Sequence, residues 1–127
     1  MTHKIPNVTK HEPDAIINDS QRPTWDIVIE KYLLTKNDIR EEIKLEVITM
    51  MKERDGMGFK KHGTHLTPNN GRDSLIDAMQ EVLDAVVYLQ NALLEEEDTI
   101  LKKFLDDSIE FSFLLIDNLA VIWSIRE

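Results

Sequence analysis

Four stretches of this chain repeat their apolar residues at intervals of three and four, and no stretch alternates apolar and polar residues with period two. An α-helix gathers such positions on one face, whereas a strand would scatter them over both. The plainest of the four is GRDSLIDAMQEVLDAVVYLQNAL, from Gly71 to Leu93. Another is IREEIKLEVITMMKER, where Ile39, Ile43, Val47 and Met50 keep helical spacing. WDIVIEKYLL follows Pro23, Thr24 and Asp26, residues that commonly open a helix. The last stretch, roughly 99–125, is apolar over most of its circumference. The expected class is all-α, a four-helix bundle or a near relative. A peripheral helix as apolar as the last one could not hide in a monomer of 127 residues, so contacts between copies are expected there.

The length suits one domain with a core and hardly two. Residues 1–21 hold two of the four prolines and little periodicity, which predicts an extended arm before a single domain over 22–127. The second helix is expected to start at Asn37 or Asp38 and to end near Arg54. All four glycines then fall between Gly56 and Gly71, with Pro68 and two asparagines, so a long loop is predicted there. The third helix should open near Asn70 or Asp73 and run to about Glu97, with EEED at 95–98 marking a break before the fourth.

Composition removes several classes of function. There is no cysteine, hence no disulfide, zinc–thiolate site or thiol catalysis. A net charge of −9 argues against general nucleic-acid binding, which neutralises phosphates with Lys and Arg. It leaves open a small phosphate ligand, because a local basic patch or a bound metal can override the global sign. The N-terminal residues contain no apolar run of signal-peptide length, and FSFLLI is broken by Asp117 and Asn118, short of a membrane span. The reading is a soluble, cytoplasmic protein that engages neither membrane nor nucleic acid.

Two acidic stripes carry the chemistry. Asp77, Glu81, Asp84, Tyr88 and Asn91 follow one another at steps of four, three, four and three, on about a quarter of the helical circumference. Between Ser74 and Ile100 there are seven acidic residues and no Lys or Arg. A solvated face usually mixes signs, because like charges one turn apart repel. The preceding helix carries Asp38, Glu42, Glu46, Thr49 and Glu53 within about 80° of one another, flanked by Ile39, Met50 and Leu45, which reads as carboxylates beside core positions. If the two stripes faced each other, the carboxylates would need a cation to neutralise them. Oxygen-only ligands favour Mg²⁺ or Mn²⁺. A di-iron carboxylate site needs Glu-x-x-His, and no histidine here has a Glu three residues before it. Lys60, Lys61, His62, His65 and Arg72 lie within thirteen residues between the stripes, and acids with a metal beside such cations suit a polyphosphate. The plain alternative is that the stripes are solvent faces and KKH a solvated loop.

The stretch Gly71–Leu93, together with MKERDGMGFKKHGTHL before it, resembles the MazG-like all-α nucleoside triphosphate pyrophosphohydrolases, most of all short phage-type members. The resemblance covers roughly 42–94. In that family, E-x-x-E on one helix and E-x-x-D on the next hold Mg²⁺ (or Mn²⁺) while a nucleoside triphosphate is cut between its α- and β-phosphates, giving a monophosphate and pyrophosphate. Here the second motif is Glu81-Val82-Leu83-Asp84, and the aromatic four residues on, against base or sugar, would be Tyr88. The first motif departs from the pattern, since no Glu of the second helix has a Glu three residues later. Glu46 is the leading ligand, with Glu42 or Glu53 completing the set, and the number of metals stays open.

The resemblance implies metal-assisted hydrolysis in the cytoplasm, in that of a host cell for a phage-encoded chain. Glu46 or Glu81 would steer the attacking water, and Lys60, Lys61, His62 and Arg72 would take the phosphates, with Lys60 assisting the chemistry. Tyr88 and Asn91 would contact the nucleoside. Homodimers or homotetramers are implied, and the phage-type likeness leans towards purine deoxynucleotides such as dGTP or dATP. Trp25 and Trp123 read as packing or interface residues, and Asp73 as a helix cap. The rival is a non-catalytic helical module that binds a partner through its last helix, or a nucleotide without turnover.

Overall fold

The computed structural model describes residues 5–9, 13–16, 20–36 and 38–126. All regular structure among them is helical: α1 spans Thr24–Leu33, α2 Glu41–His62, α3 Ser74–Glu95 and α4 Thr99–Arg126. The chain is all-α, as its periodicity requires. It divides into two compact units, one of residues 13–72 and one of residues 1–12 with 73–127.

In the first unit α1 packs on α2. Pro23 stands at the head of α1 without a side-chain cap, and Thr24 N–H instead donates to Leu66 O at 2.8 Å. Asp26 in the first turn and Lys31 in the last both complement the helix dipole. Lys44 of α2 reaches the far end of α1: its Nζ donates to Thr35 O at 2.9 Å and lies 5.6 Å from the centre of the Tyr32 ring. On α2 the buried residue is Ile48, and Lys44, Val47, Met51, Asp55 and Gly58 are half-buried on the same side.

Helix α2 is longer than its glycines suggest. It begins at Glu41 rather than near residue 38, and Asn37 lies outside the described residues. It continues past Arg54 through Gly56 and Gly58 to His62, so Lys60, Lys61 and His62 form its last turn instead of a loop. A glycine inside a helix costs about 1 kcal/mol relative to alanine, which hinders a helix without ending it. Three basic residues at the carbonyl end partly offset that cost. The true stop is Gly63, at φ 73°, whose N–H donates to Phe59 O at 2.7 Å. Its left-handed backbone suits a residue with no Cβ.

In the second unit α3 and α4 pack along each other. Asp73 caps α3, accepting from Leu75 N at 3.1 Å and Ile76 N at 3.4 Å, as its sequence position predicts. EEED is the turn into α4. Glu96 Oε1 accepts from the N–H groups of Glu97 and Asp98, and Asp98 Oδ1 accepts from those of Ile100 and Leu101, at 2.9–3.1 Å. Ile76 and Met79 on α3 and Ile109 on α4 are buried. Gln80 Nε2 donates to Val8 O at 2.7 Å, tying residues 5–9 to α3.

Most of α4 stays open: Phe104, Phe111, Leu114 and Ile125 are 65–78% exposed. Over eighteen residues its mean hydropathy is 1.5, so by length and composition the helix is long and apolar enough to cross a membrane, a test that core helices of soluble proteins also pass. Glu110 and Asp117 interrupt its apolar run.

The end of α4 is clasped to the start of α3. Arg126 donates to both oxygens of Asp73, at 3.1 and 2.5 Å, and its guanidinium lies 4.6 Å from the centre of the Trp123 ring. This pairing holds the Asp73 carboxyl below the usual aspartate value, against the smaller opposing effect of its partial burial. A lowered folded-state value stabilises the fold above the unfolded aspartate value, about 3.9, and the contribution is lost as pH falls through the folded value. Arg126→Gln is therefore expected to lower the melting temperature at pH 6, and the gap from the parent should close as melts are repeated towards pH 3. A gap that widened in acid would contradict the clasp.

Candidate functional site

On α3 the expected stripe is present and faces outwards. The helix turns its buried side through Ile76 and Met79, and Glu81, Asp84, Tyr88 and Asn91 lie on the opposite, exposed side. Tyr88 is 69% exposed. Asp77, in the first turn, is half-buried. Glu81 and Asp84 stand three residues apart, so their side chains are neighbours on the helix surface. No ion pair engages either one among the described residues.

On α2 the stripe starts at Glu42, because Asp38 precedes the helix. Glu42, Glu46 and Glu53 are exposed. They lie opposite the buried Ile48 side, and the flanking Leu45 and Met50 are each 55% exposed. The expectation that these carboxylates border core positions does not hold within this chain: α1 covers the other side of α2, so Leu45 and Met50 are surface. Glu46 and Glu53 edge a shallow groove with Leu45, Thr49 and Met50. The Thr49 hydroxyl is turned to its own helix, donating to Leu45 O at 3.0 Å.

α2 belongs to one unit and α3 to the other, so each stripe is described on its own helix. Among the described residues no three His, Asp or Glu side chains gather as a metal-binding group. Mg²⁺ does not require three protein ligands: it keeps several waters and is commonly held by one or two carboxylates together with substrate phosphates. The Glu81–Asp84 pair meets that lesser requirement.

The basic residues divide. Lys60 and Lys61 are exposed on the last turn of α2. Arg72 is half-buried, with Nη1 donating to Pro13 O at 2.6 Å. Its neighbour Asp73 is engaged by Arg126 and by the start of α3. His62 and His65 line one pocket at the end of α2 with Thr67 and Asn70. Asp55, Thr67 and Asn70 were absent from the sequence-based candidates. Asp55 and His65 are ten residues apart across a helix end, and only the turn at Gly63 brings them together.

Compared with known protein families, with curated proteins and with solved structures, the chain matches none.

Proposed function

We propose that the protein is a metal-dependent nucleoside triphosphate pyrophosphohydrolase, converting a (deoxy)nucleoside triphosphate and water to a monophosphate and pyrophosphate. The observation that carries the reading is the Glu81–Asp84 pair: two exposed carboxylates, neighbours on one helix face, with no cation against them among the described residues. The MazG-like resemblance supplies the reaction. Mg²⁺ or Mn²⁺, when bound, supplies positive charge against the phosphate oxygens and lowers the cost of attack at the α-phosphorus. Glu81 and Asp84 would hold the ion, and either would accept a proton from the attacking water. Lys60 and Lys61, exposed on the last turn of α2, are the cations that the resemblance would set against the remaining phosphate charge. His62, Arg72, Tyr88 and Asn91 complete the nucleotide contacts that the resemblance implies, with Glu42, Glu46 and Glu53 as the α2 carboxylates.

The test is pyrophosphate release from a panel of ribo- and deoxynucleoside triphosphates, with Mg²⁺, with Mn²⁺ and with EDTA. Metal-dependent release from one or a few of them, purine deoxynucleotides first, is the expected result. Silence across the panel in a folded sample would overturn the reading.

The exposed phenylalanines of α4 favour a homodimer or homotetramer in which copies cover one another, because an apolar surface of this kind is rarely left open by a monomer. Phe111→Asp should shift the species seen by sedimentation towards monomer. The same face supports the rival reading, a helical module for a partner protein, which predicts no turnover and no stabilisation by Mg²⁺.

A further inference from the structure

The pocket at the end of α2 holds polar groups that the surrounding chain fixes in place. Its cavity volume is about 60 Å³, with Ile16 and Leu66 among its apolar walls and His62, His65, Thr67 and Asn70 among its polar ones. Small-molecule sites have this make-up, largely apolar with a few placed polar groups. Ile16 is seated firmly. Its N–H donates to Asn70 O at 2.6 Å, and its side chain approaches Gly71 so closely that a Cβ there would stand 2.9 Å from Cδ1.

Asp55 reaches His65 with Oδ1 2.7 Å from Nδ1, and the imidazole packs against the Phe59 ring at 4.7 Å between centroids. A carboxylate only accepts, so Nδ1 carries a proton, and in the neutral ring Nε2 is an acceptor. Asn70 is 4% exposed and accepts from Arg72 N at 3.1 Å through Oδ1, which leaves its Nδ2 as a donor. Thr67 is 5% exposed. Neither His65 Nε2, Asn70 Nδ2 nor the Thr67 hydroxyl has a hydrogen bond among the described residues. Asn70 and Thr67 are more than nine-tenths buried as residues, so their polar atoms are held in place and reach solvent only through the pocket. Among the described residues no Lys or Arg lines the pocket. An uncharged partner therefore fits better than an anion.

We propose that this pocket binds a small cyclic amide, whose N–H donates to His65 Nε2 and whose carbonyl accepts from Asn70 Nδ2 or the Thr67 hydroxyl. The site shares His62 with the phosphohydrolase reading but uses none of its carboxylates, and its test is read without metal, triphosphate or turnover.

The test uses the full chain with uracil as the probe, titrated by saturation-transfer NMR, with 1,3-dimethyluracil and inorganic phosphate as comparisons. Uracil should bind saturably. Dimethyluracil keeps the ring and carbonyls but lacks the N–H, so it should bind several-fold more weakly, roughly the scale of one lost hydrogen bond. Asp55→Asn presents an N–H to Nδ1, moves the ring proton to Nε2 and turns the acceptor into a donor. Uracil binding should fall by a similar factor while the helical circular dichroism is kept. No binding by the folded parent, equal binding of dimethyluracil, undiminished binding by a folded Asp55→Asn, or displacement of uracil by phosphate would each overturn the proposal. The dimethyluracil comparison needs no variant, so it decides the matter even if Asp55→Asn fails to fold.

Discussion

Glu81→Gln is expected to lower pyrophosphate release by two to three orders of magnitude, about the scale on which removing one charge-stabilising group acts, and to leave melting without metal unchanged. Glu81 is exposed, and no ion pair to it exists among the described residues, so the amide leaves no buried partner stranded. The change removes negative charge from a side already crowded with it, and the fold gains slightly if anything. What the variant should lose is the stabilisation that Mg²⁺ or Mn²⁺ confers on the parent, since a ligand that binds only the native state raises stability by mass action. Activity and metal-induced stabilisation should fall together. A variant that kept turnover would remove Glu81 from the site, and one that lost turnover but kept the full metal effect would move the metal elsewhere. Glu46→Gln tests the α2 carboxylates in the same way.

Met79→Ala should destabilise the protein by about 2–5 kcal/mol, the range for truncating a buried methionine or leucine. That corresponds to a melting temperature lower by roughly 8–20 °C for a chain of this size. Met79 is 2% exposed, and with Ile48, Ile76 and Ile109 it makes up the buried apolar set of the described residues. Where so few apolar side chains are fully buried, each carries a large share of the stability. Leu94, 76% exposed on the same helix, is the comparison. Its truncation to alanine should change stability by less than about 0.5 kcal/mol. Urea melts of the two variants separate these outcomes, and equal losses would mean that burial in the chain does not describe the state in solution.

Helical periodicity made α3 and α4 legible to within a residue or two, because their starts are written in local chemistry: Asp73 caps one and Asp98 the other. The end of α2 was not legible. Its four glycines and polar texture read as loop, but two of those glycines are carried inside the helix and a third ends it. Propensity is a small energy per residue, and a helix already running from Glu41 to Asp55 continues through two glycines at modest cost. The stripe on α3 was legible as a spacing, since i, i+4 and i+7 share a face on any helix. Which way a stripe faces is a tertiary property. Leu45 and Met50 looked like core beside Glu46, and they are surface because α1 covers the other side of α2.

The sequence by itself determined the helical class, the Asp73 cap, the stripes of carboxylate and the absence of thiol chemistry. Each of these depends on residue identity or on the period of a helix, which neighbours in sequence settle between themselves. Only the tertiary structure decided that His65 meets Asp55, that Asn70 and Thr67 are buried beside them, that Arg126 closes on Asp73, and that α4 leaves its phenylalanines uncovered. Those contacts join residues separated by up to 53 positions, and they exist only once chain direction, helix ends and packing have been chosen together.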